Sequence, residues 1–326
     1  MKNILFVGAF LLMTSAVFAG WEDLVSKVEG HSQVAATSQS ATSQPAIEKD
    51  KIPNYLQDIS VTIRSVNSEG SGVVVTRQIE GKNVNFVWTA GHVVASAREE
   101  RSVIDPLSGT SKIIVEFKDV SIIKELVEDG RRVGEIKMTA SVIRYSEADN
   151  GEDLALLRIC KTDFIKSSAV FYLDKEIPSI GKELFHVGSL KGQFGSNSLT
   201  TGVVSQIGRI LNKKEFDQTT ATAFPGSSGG GVFLQSDARY VGMLVRGAGE
   251  TFNLIVPIRR MQSWARSANI EWAIDTSIPM SSEKELEKLP IEEVGASFGA
   301  KPSVKSTVDD GSKNTKFMIR TVDDSK

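Results

Sequence analysis

Phe224-Pro225-Gly226-Ser227-Ser228-Gly229-Gly230-Gly231-Val232 sets a serine among glycines, with a proline just before and an apolar run just after. Glycine adopts backbone angles that other residues avoid, so such a run makes a tight turn. A turn of this kind can present Ser228 and aim neighbouring backbone N–H groups into one small space. An acyl-transfer enzyme needs that space for the oxyanion of its tetrahedral intermediate. A Gly/Ser loop joining two strands has the same composition, so this stretch alone leaves both readings open.

Two further stretches decide between them. Val87-Trp88-Thr89-Ala90-Gly91-His92-Val93-Val94 is an apolar strand that ends in a histidine, and Asp153-Leu154-Ala155-Leu156-Leu157-Arg158-Ile159 is an apolar strand led by an aspartate. The order along the chain is His, Asp, Ser, the order of a Ser-His-Asp triad on the chymotrypsin fold. With these motifs the sequence resembles the trypsin-like serine peptidases, in particular the bacterial branch that includes the HtrA/Deg proteases. In that branch the serine motif reads Pro-Gly-Asn-Ser-Gly-Gly; here it reads Pro225-Gly226-Ser227-Ser228-Gly229-Gly230. A Gly-Ser-Gly followed by apolar residues sits upstream of the histidine in the family, and Gly70-Ser71-Gly72 matches it.

The resemblance implies an all-β fold of two six-stranded antiparallel barrels with a C-terminal helix, and a serine endopeptidase acting on polypeptides. It implies Ser228 as nucleophile, His92 as general base and Asp153 as the acid that orients His92. It places the oxyanion against the backbone N–H groups of Gly226 and Ser228. Val245-Arg246-Gly247 match the segment that pairs with the substrate backbone by strand addition. Thr222 and Ala223, the Val245 to Gly247 segment, and Asn253 or Leu254 match the specificity pocket. One residue departs from the pattern. Trypsins activated by cutting carry an aspartate just before the serine, which pairs with a new amino terminus. Ser227 cannot form that ion pair, so the resemblance implies a site that forms without the switch.

Composition narrows the function further. The chain has 326 residues and a net charge of −2, which gives no case for nucleic acid or a membrane surface. Its single cysteine, Cys160, excludes an intramolecular disulfide, and with three histidines a dedicated zinc site is not expected. No cofactor is expected. Cys160 ends an apolar run and reads as a buried filler. His186, in the strand-like run Leu184-Phe185-His186-Val187, reads as structural.

Along the chain, residues 1–19 have the charge, apolar core and small −3 and −1 side chains of a secretory signal peptide, so a periplasmic or secreted protein is expected. Their apolar run is short for a membrane span, and no later stretch is long enough for one. Residues 20–50 are Ser/Gln/Ala-rich and read as a flexible linker. Residues 51–275 carry the alternating short apolar runs and Gly-rich turns of a closed all-β protease domain. Within it, residues 96–112 read as a polar surface loop, Glu125 to Arg132 as a charged excursion between strands, and Ile258 to Ile270 as the closing helix. Residues 276–326 are charged and of low complexity, and read as a disordered tail with a transient helix near Glu283 to Glu293. They are too few and too polar for the PDZ domain that follows HtrA catalytic domains. Two alternatives to an endopeptidase stay open: a catalytically silent trypsin-fold binding protein, and an esterase with the same triad. The oligomeric state cannot be read.

Overall fold

The computed structural model describes residues 47–292, apart from 105, 106, 108–110, 129 and 248–250. Its runs of β-branched and aromatic residues form β1 (Ser60–Arg64), β2 (Glu69–Ile79), β3 (Lys82–Thr89), β4 (Arg98–Ile104), β5 (Ser111–Phe117), β6 (Val120–Glu128), β7 (Arg131–Ser146) and β8 (Leu154–Ile159). The second half of the chain supplies β9 (Glu183–Leu190), β10 (Gly195–Leu211), β11 (Lys214–Thr219), β12 (Gly231–Leu234), β13 (Tyr240–Gly247) and β14 (Asn253–Pro257). Among the described residues, α-helices accompany them at α1 (Ile52–Asp58), α2 (Gly91–Val94), α3 (Ile258–Ser267) and α4 (Glu283–Leu286).

Two closed six-stranded barrels result, β1-β2-β3-β8-β7-β6 and β10-β11-β14-β13-β12-β9. Neighbouring strands in both are antiparallel. This is the trypsin-type architecture expected from the sequence, and α3 is the closing helix. Closure removes the exposed sheet edges that an open stack of short strands would leave. The β2–β3 hairpin turns on Glu80 and Gly81, both with positive φ, as a two-residue turn between twisted strands requires. That hairpin delivers α2, and with it His92, to the rim of the first barrel.

A core of buried side chains fills both barrels, with Phe86, Trp88, Phe233 and Tyr240 among its largest members. Trp88 ties α3 to the first barrel. Its ring meets Trp264 edge-on at 5.8 Å, and its indole N–H donates to the Ala273 carbonyl at 2.9 Å. Three of the helical apolar positions on α3, Ile258, Met261 and Trp264, are buried.

The structure corrects five local expectations. Residues 98–104 of the anticipated surface loop are a strand, β4, paired with β5 in a two-stranded ribbon. Opposed charges across it, such as Arg101 with Glu116 at 2.7 Å, favour pairing where an apolar pattern is missing. The charged excursion from Glu125 to Arg132 is largely β-structure: β6 and β7 pair up to Glu128 and Arg131. Cys160 is exposed, because it falls one residue beyond β8 at the barrel rim. The chain also does not leave the fold at residue 275. Residues 276–292 continue over the first barrel, burying Leu286 and packing Ile278, Met280, Leu289 and Ile291 on the core. Tyr145 N–H donates to the Ile291 carbonyl at 2.7 Å, and Glu292 pairs with Arg98. The apolar residues of this strap are too widely spaced to signal a core by periodicity. At the other end Ile47, placed in the linker by the sequence, also packs on the core. Residues 1–46 and 293–326 lie outside the described residues, and with them the signal peptide, most of the linker and the end of the tail.

Candidate active site

His92 and Asp153 meet because three backbone segments pack without side chains between them. A Cβ on Gly91 would lie 2.3 Å from the Ser146 carbonyl oxygen, so only glycine lets α2 settle against the end of β7. The turn before β8 folds back on that same end. Glu152 N–H donates to Ser146 Oγ at 2.7 Å, and Asp153 N–H to the Glu147 carbonyl at 3.1 Å. Asp153 itself has φ 57°, in the left-handed region that aspartate tolerates better than most residues. Its carboxylate, 3% exposed as a residue, takes the His92 backbone N–H at 2.9 Å and lies 3.0 and 3.1 Å from His92 Nδ1. A buried carboxylate with two such partners fixes the ring plane and places the Nδ1 proton on the acid side, leaving Nε2 toward the cleft.

Ser228 arrives from the second barrel. Its backbone is seated between the start of β2 and the residues before α2. Ser71 N–H donates to the Ser228 carbonyl at 2.7 Å. A Cβ on Gly229, whose φ is +85°, would lie 2.2 Å from the Ser71 carbonyl oxygen and 3.0 Å from Ala90 N. The serine loop therefore rests against the segment that leads into His92. The structure pairs His92 with Asp153 and brings the serine loop against Ala90, two residues before His92. It closes the hydrogen bond on the aspartate side only: among the described residues Ser228 Oγ has no hydrogen-bond partner. Such bonds are often open in unliganded sites.

The loop itself answers what holds it without an aspartate at position 227. Ser227, fully buried, accepts the Phe224 N–H on its Oγ at 3.1 Å, and its own N–H donates to the Phe224 carbonyl at 2.9 Å. Four successive carbonyls are each tied down. Pro225 accepts Lys191 N–H at 2.7 Å, Gly226 accepts Ser71 Oγ–H at 2.7 Å, Ser227 accepts Gly230 N–H at 2.9 Å, and Ser228 accepts Ser71 N–H. Among the described residues the N–H groups of Gly226 and Ser228 have no partner, whereas those of Ser227 and Gly229 are spent on Phe224 and Leu244. Gly226 has φ +95°, and a Cβ there would lie 2.3 Å from the Ser189 carbonyl oxygen, so no other residue fits.

The remaining predicted residues lie on β13, on β14 and just before the serine loop. Arg246 and Gly247 pair with Leu254 and Asn253 of β14, but β12 pairs with β13 only as far as Met243. Among the described residues, the Val245 to Gly247 edge is thus free of a strand on the side of the serine loop. The Val245 side chain, like that of Leu254, is in the hydrophobic core rather than on a pocket wall. Thr222 and Ala223 are half-buried, and the Thr222 carbonyl accepts Thr200 Oγ1–H at 2.9 Å. Asn253 is fully buried and donates through Nδ2 to the Ala221 carbonyl at 2.8 Å, while among the described residues its Oδ1 has no hydrogen-bond partner. His186 is buried as expected, with Nδ1 3.0 Å from the Gly231 carbonyl, and burial pushes its pKa down to about 4.

The family described as the trypsin-like peptidase domain matches residues 70–243, more than half of the chain. The chain belongs to the trypsin-like peptidases. No curated protein matches it. Among solved structures it is similar to a serine endoprotease from Yersinia pestis, with 20% identity and a TM-score of 0.47 over 70% of this chain and 68% of that one. It is also similar to a serine-to-alanine variant of the HtrA-type protease AlgW with a tripeptide, with 20% identity and a TM-score of 0.45 over 69% of this chain and 64% of that one.

Sequence reasoning missed three residues of this trypsin-like site. Ser71 was noted as part of a motif but not as the partner of the serine loop. Lys214, which donates to the Ala148 and Asp149 carbonyls at 3.0 and 2.9 Å, gives no signal in the sequence. Arg260 does give one: two arginines, Arg259 and Arg260, stand in the first turn of α3, where the helix dipole disfavours cations. Both are held there by acids from other elements, Arg259 by Glu215 and Asp217, Arg260 by Glu152.

Proposed function

We propose that this trypsin-like peptidase is an exported serine endopeptidase that cleaves polypeptides through an acyl-enzyme. The observation that carries the proposal is the buried Asp153 carboxylate on His92 Nδ1, facing a serine loop whose two unpaired N–H groups are those of Gly226 and Ser228. In this reading His92 Nε2 takes the proton of Ser228 Oγ as it attacks the scissile carbonyl, and Asp153 stabilises the imidazolium without being protonated. The oxyanion forms against Gly226 N–H and Ser228 N–H. His92 then protonates the leaving amine, and water repeats the sequence to release the acyl group. The free edge at Val245 to Gly247 takes the substrate as an added strand.

Export rests on the pattern in residues 1–19; amino-terminal sequencing of the mature protein would start at Gly20, and an intact Met1 end would reject it. Activity is tested by a serine-directed fluorophosphonate and a casein digest. Covalent labelling at Ser228 with proteolysis is expected. Labelling with ester but no peptide hydrolysis would mean an esterase. No labelling of folded protein would mean a trypsin-fold binding protein.

A further inference from the structure

We propose that the side-chain hydroxyl of Ser71 is a positioning residue that holds the oxyanion-binding loop in its working form. This rests on the serine-peptidase reading above. Ser71 lies in β2 of the first barrel and is 1% exposed, yet its N–H and its hydroxyl both reach across to the second barrel. Its N–H donates to the Ser228 carbonyl at 2.7 Å and its Oγ–H to the Gly226 carbonyl at 2.7 Å. The same Oγ accepts Ser189 N–H at 2.7 Å, and the Ser71 carbonyl accepts Thr89 Oγ1–H at 2.8 Å.

The consequence follows from peptide planarity. In a trans peptide the C=O and N–H point in opposite directions. Ser71 Oγ therefore fixes the plane of the Gly226–Ser227 peptide, the link between the two peptides that carry the oxyanion donors. The flanking planes are held by Lys191 N–H on Pro225 and by Gly230 N–H on Ser227. Without the Ser71 hydroxyl, the central plane keeps only the bond from Ser227 N–H to the Phe224 carbonyl and loses the anchor on its carbonyl side. Gly226, at φ +95°, is free to rotate about it. Gly226 joins this plane to the Pro225–Gly226 peptide, so freedom there leaves the Gly226 N–H fixed only through the Lys191 bond to Pro225 and loosens its aim at the oxyanion, with the Ser228 side chain left in place. Because Ser71 and Ser189 belong to different barrels, the same hydroxyl also makes the loop depend on how the barrels meet.

The test compares Ser71→Ala with the parent protein on a peptide ester and a peptide amide, together with a peptide aldehyde that binds Ser228 as a tetrahedral adduct. Loss of one oxyanion donor costs about 10²–10³ in kcat. Ser71→Ala is expected to lower kcat on the order of 10- to 100-fold with KM changed less than about 3-fold, and to weaken the aldehyde by the same factor as kcat/KM. Fluorophosphonate labelling of Ser228 should persist at a reduced rate. A folded Ser71→Ala protein with unchanged kcat, even at a lower melting temperature, would overturn the proposal, since that is a purely structural role. Equal loss in kcat and in binding of a non-covalent product peptide would overturn it too. If Ser71→Ala does not fold, Ser71→Cys, which keeps a weaker donor in nearly the same volume, is expected to show the same kcat-selective loss, and its absence would count against the proposal. Failure of the parent protein to label at Ser228 would instead reject the peptidase reading itself.

Discussion

Arg260 reaches from the first turn of α3 to Glu152, the residue before Asp153. It binds the Glu152 carboxylate through Nε and the Glu152 carbonyl through Nη2 at 2.8 Å, and its Nη1 donates to the Glu215 carbonyl at 2.9 Å. With Lys214 on the Ala148 and Asp149 carbonyls, this holds the turn that presents Asp153 from the side of the second barrel. Arg260→Ala should let that turn drift and carry the His92 ring with it. Misplacement of a catalytic group by ~1 Å costs up to about 10²-fold, so kcat is expected to fall on the order of 10-fold with little change in KM. Steady-state kinetics on one peptide substrate check this. A rise in KM at constant kcat would show that Arg260 acts on substrate binding instead.

Ser228→Ala and His92→Ala should each abolish turnover, and the double variant should be no worse than either alone. Members of such a triad act as a unit, so each loss is expected to cost roughly 10⁴-fold or more in kcat. Asp153→Asn keeps the shape but favours the wrong imidazole tautomer, with a loss of about 10⁴-fold. Near-normal activity in a Ser228→Ala protein free of parent enzyme would end the serine-peptidase reading.

The barrels and the position of the triad residues were legible because they are written locally. Alternation at Ile59, Val61 and Ile63, the strand that ends at His92 and the Gly-rich turn at Ser228 each need only their own neighbours. What the sequence hides is long-range and polar. The Ser71 hydroxyl meets Gly226 across 155 positions, and Arg260 meets Glu152 across 108, with no period to betray either pair. The strap after residue 275 escapes for a related reason. Its apolar residues are diluted by acids and lysines, and what docks it includes main-chain carbonyls, of which Ile278 accepts Arg77 at 2.8 Å. Val245 was placed on a pocket wall by motif matching, which fixes a backbone position but not the face a side chain takes at a bulge.

That strap gives a prediction about boundaries. Arg77 donates to the carbonyls of Trp272 at 2.8 Å, Asp275 at 3.3 Å and Ile278 at 2.8 Å, and Leu286 is buried beyond them. A chain covering residues 47–292 should be as stable as the full mature protein. One ending at 275 loses Leu286 and the apolar contacts of Ile278, Met280 and Ile291, at ~1.5–3 kcal/mol for each side chain fully buried. With about 2–4 °C per kcal/mol for a domain of this size, the shorter chain should melt on the order of 10 °C lower. Equal melting temperatures by calorimetry would mean that residues 276–292 contribute nothing.

Acid stability should depend on His186. Burial pushes its pKa down to about 4 from the usual 6.5, with the bond from the Gly231 carbonyl opposing the shift only in part. As pH falls, the unfolded chain takes up this proton before the folded one does. The contribution of neutral His186 is therefore intact above about pH 6.5, declines between about 6.5 and 4, and levels off below 4, a loss on the order of 3 kcal/mol. His186→Gln keeps a donor near the Gly231 carbonyl but does not titrate. Urea unfolding at pH 7 and pH 4.5 should show a smaller stability difference for the variant than for the parent. Equal differences would rule out His186 as the group responsible.

The last prediction concerns the residue before the cleaved bond. A peptidase that selects Lys or Arg needs an unpaired acid at the base of its pocket, and Thr222 occupies the position that matches it. The buried acid near this strand, Asp217, is already committed: it accepts Arg259 Nη1 and Nη2 at 2.7 Å each and Gly208 N–H at 2.9 Å. Burying a substrate cation beside Thr222, Ala223 and Asn253 would cost several kcal/mol, which the neutral Asn253 Oδ1 would offset only in part. Small to medium uncharged residues, Ala, Val, Leu or Met, are therefore expected before the cut. One methylene changes such a preference by only about 1–3 kcal/mol, so discrimination among them should be loose. A peptide library digested with the mature protein and mapped by mass spectrometry decides the matter. Dominant cleavage after Lys or Arg would show that the pocket is built from other residues than Thr222, Ala223 and Asn253.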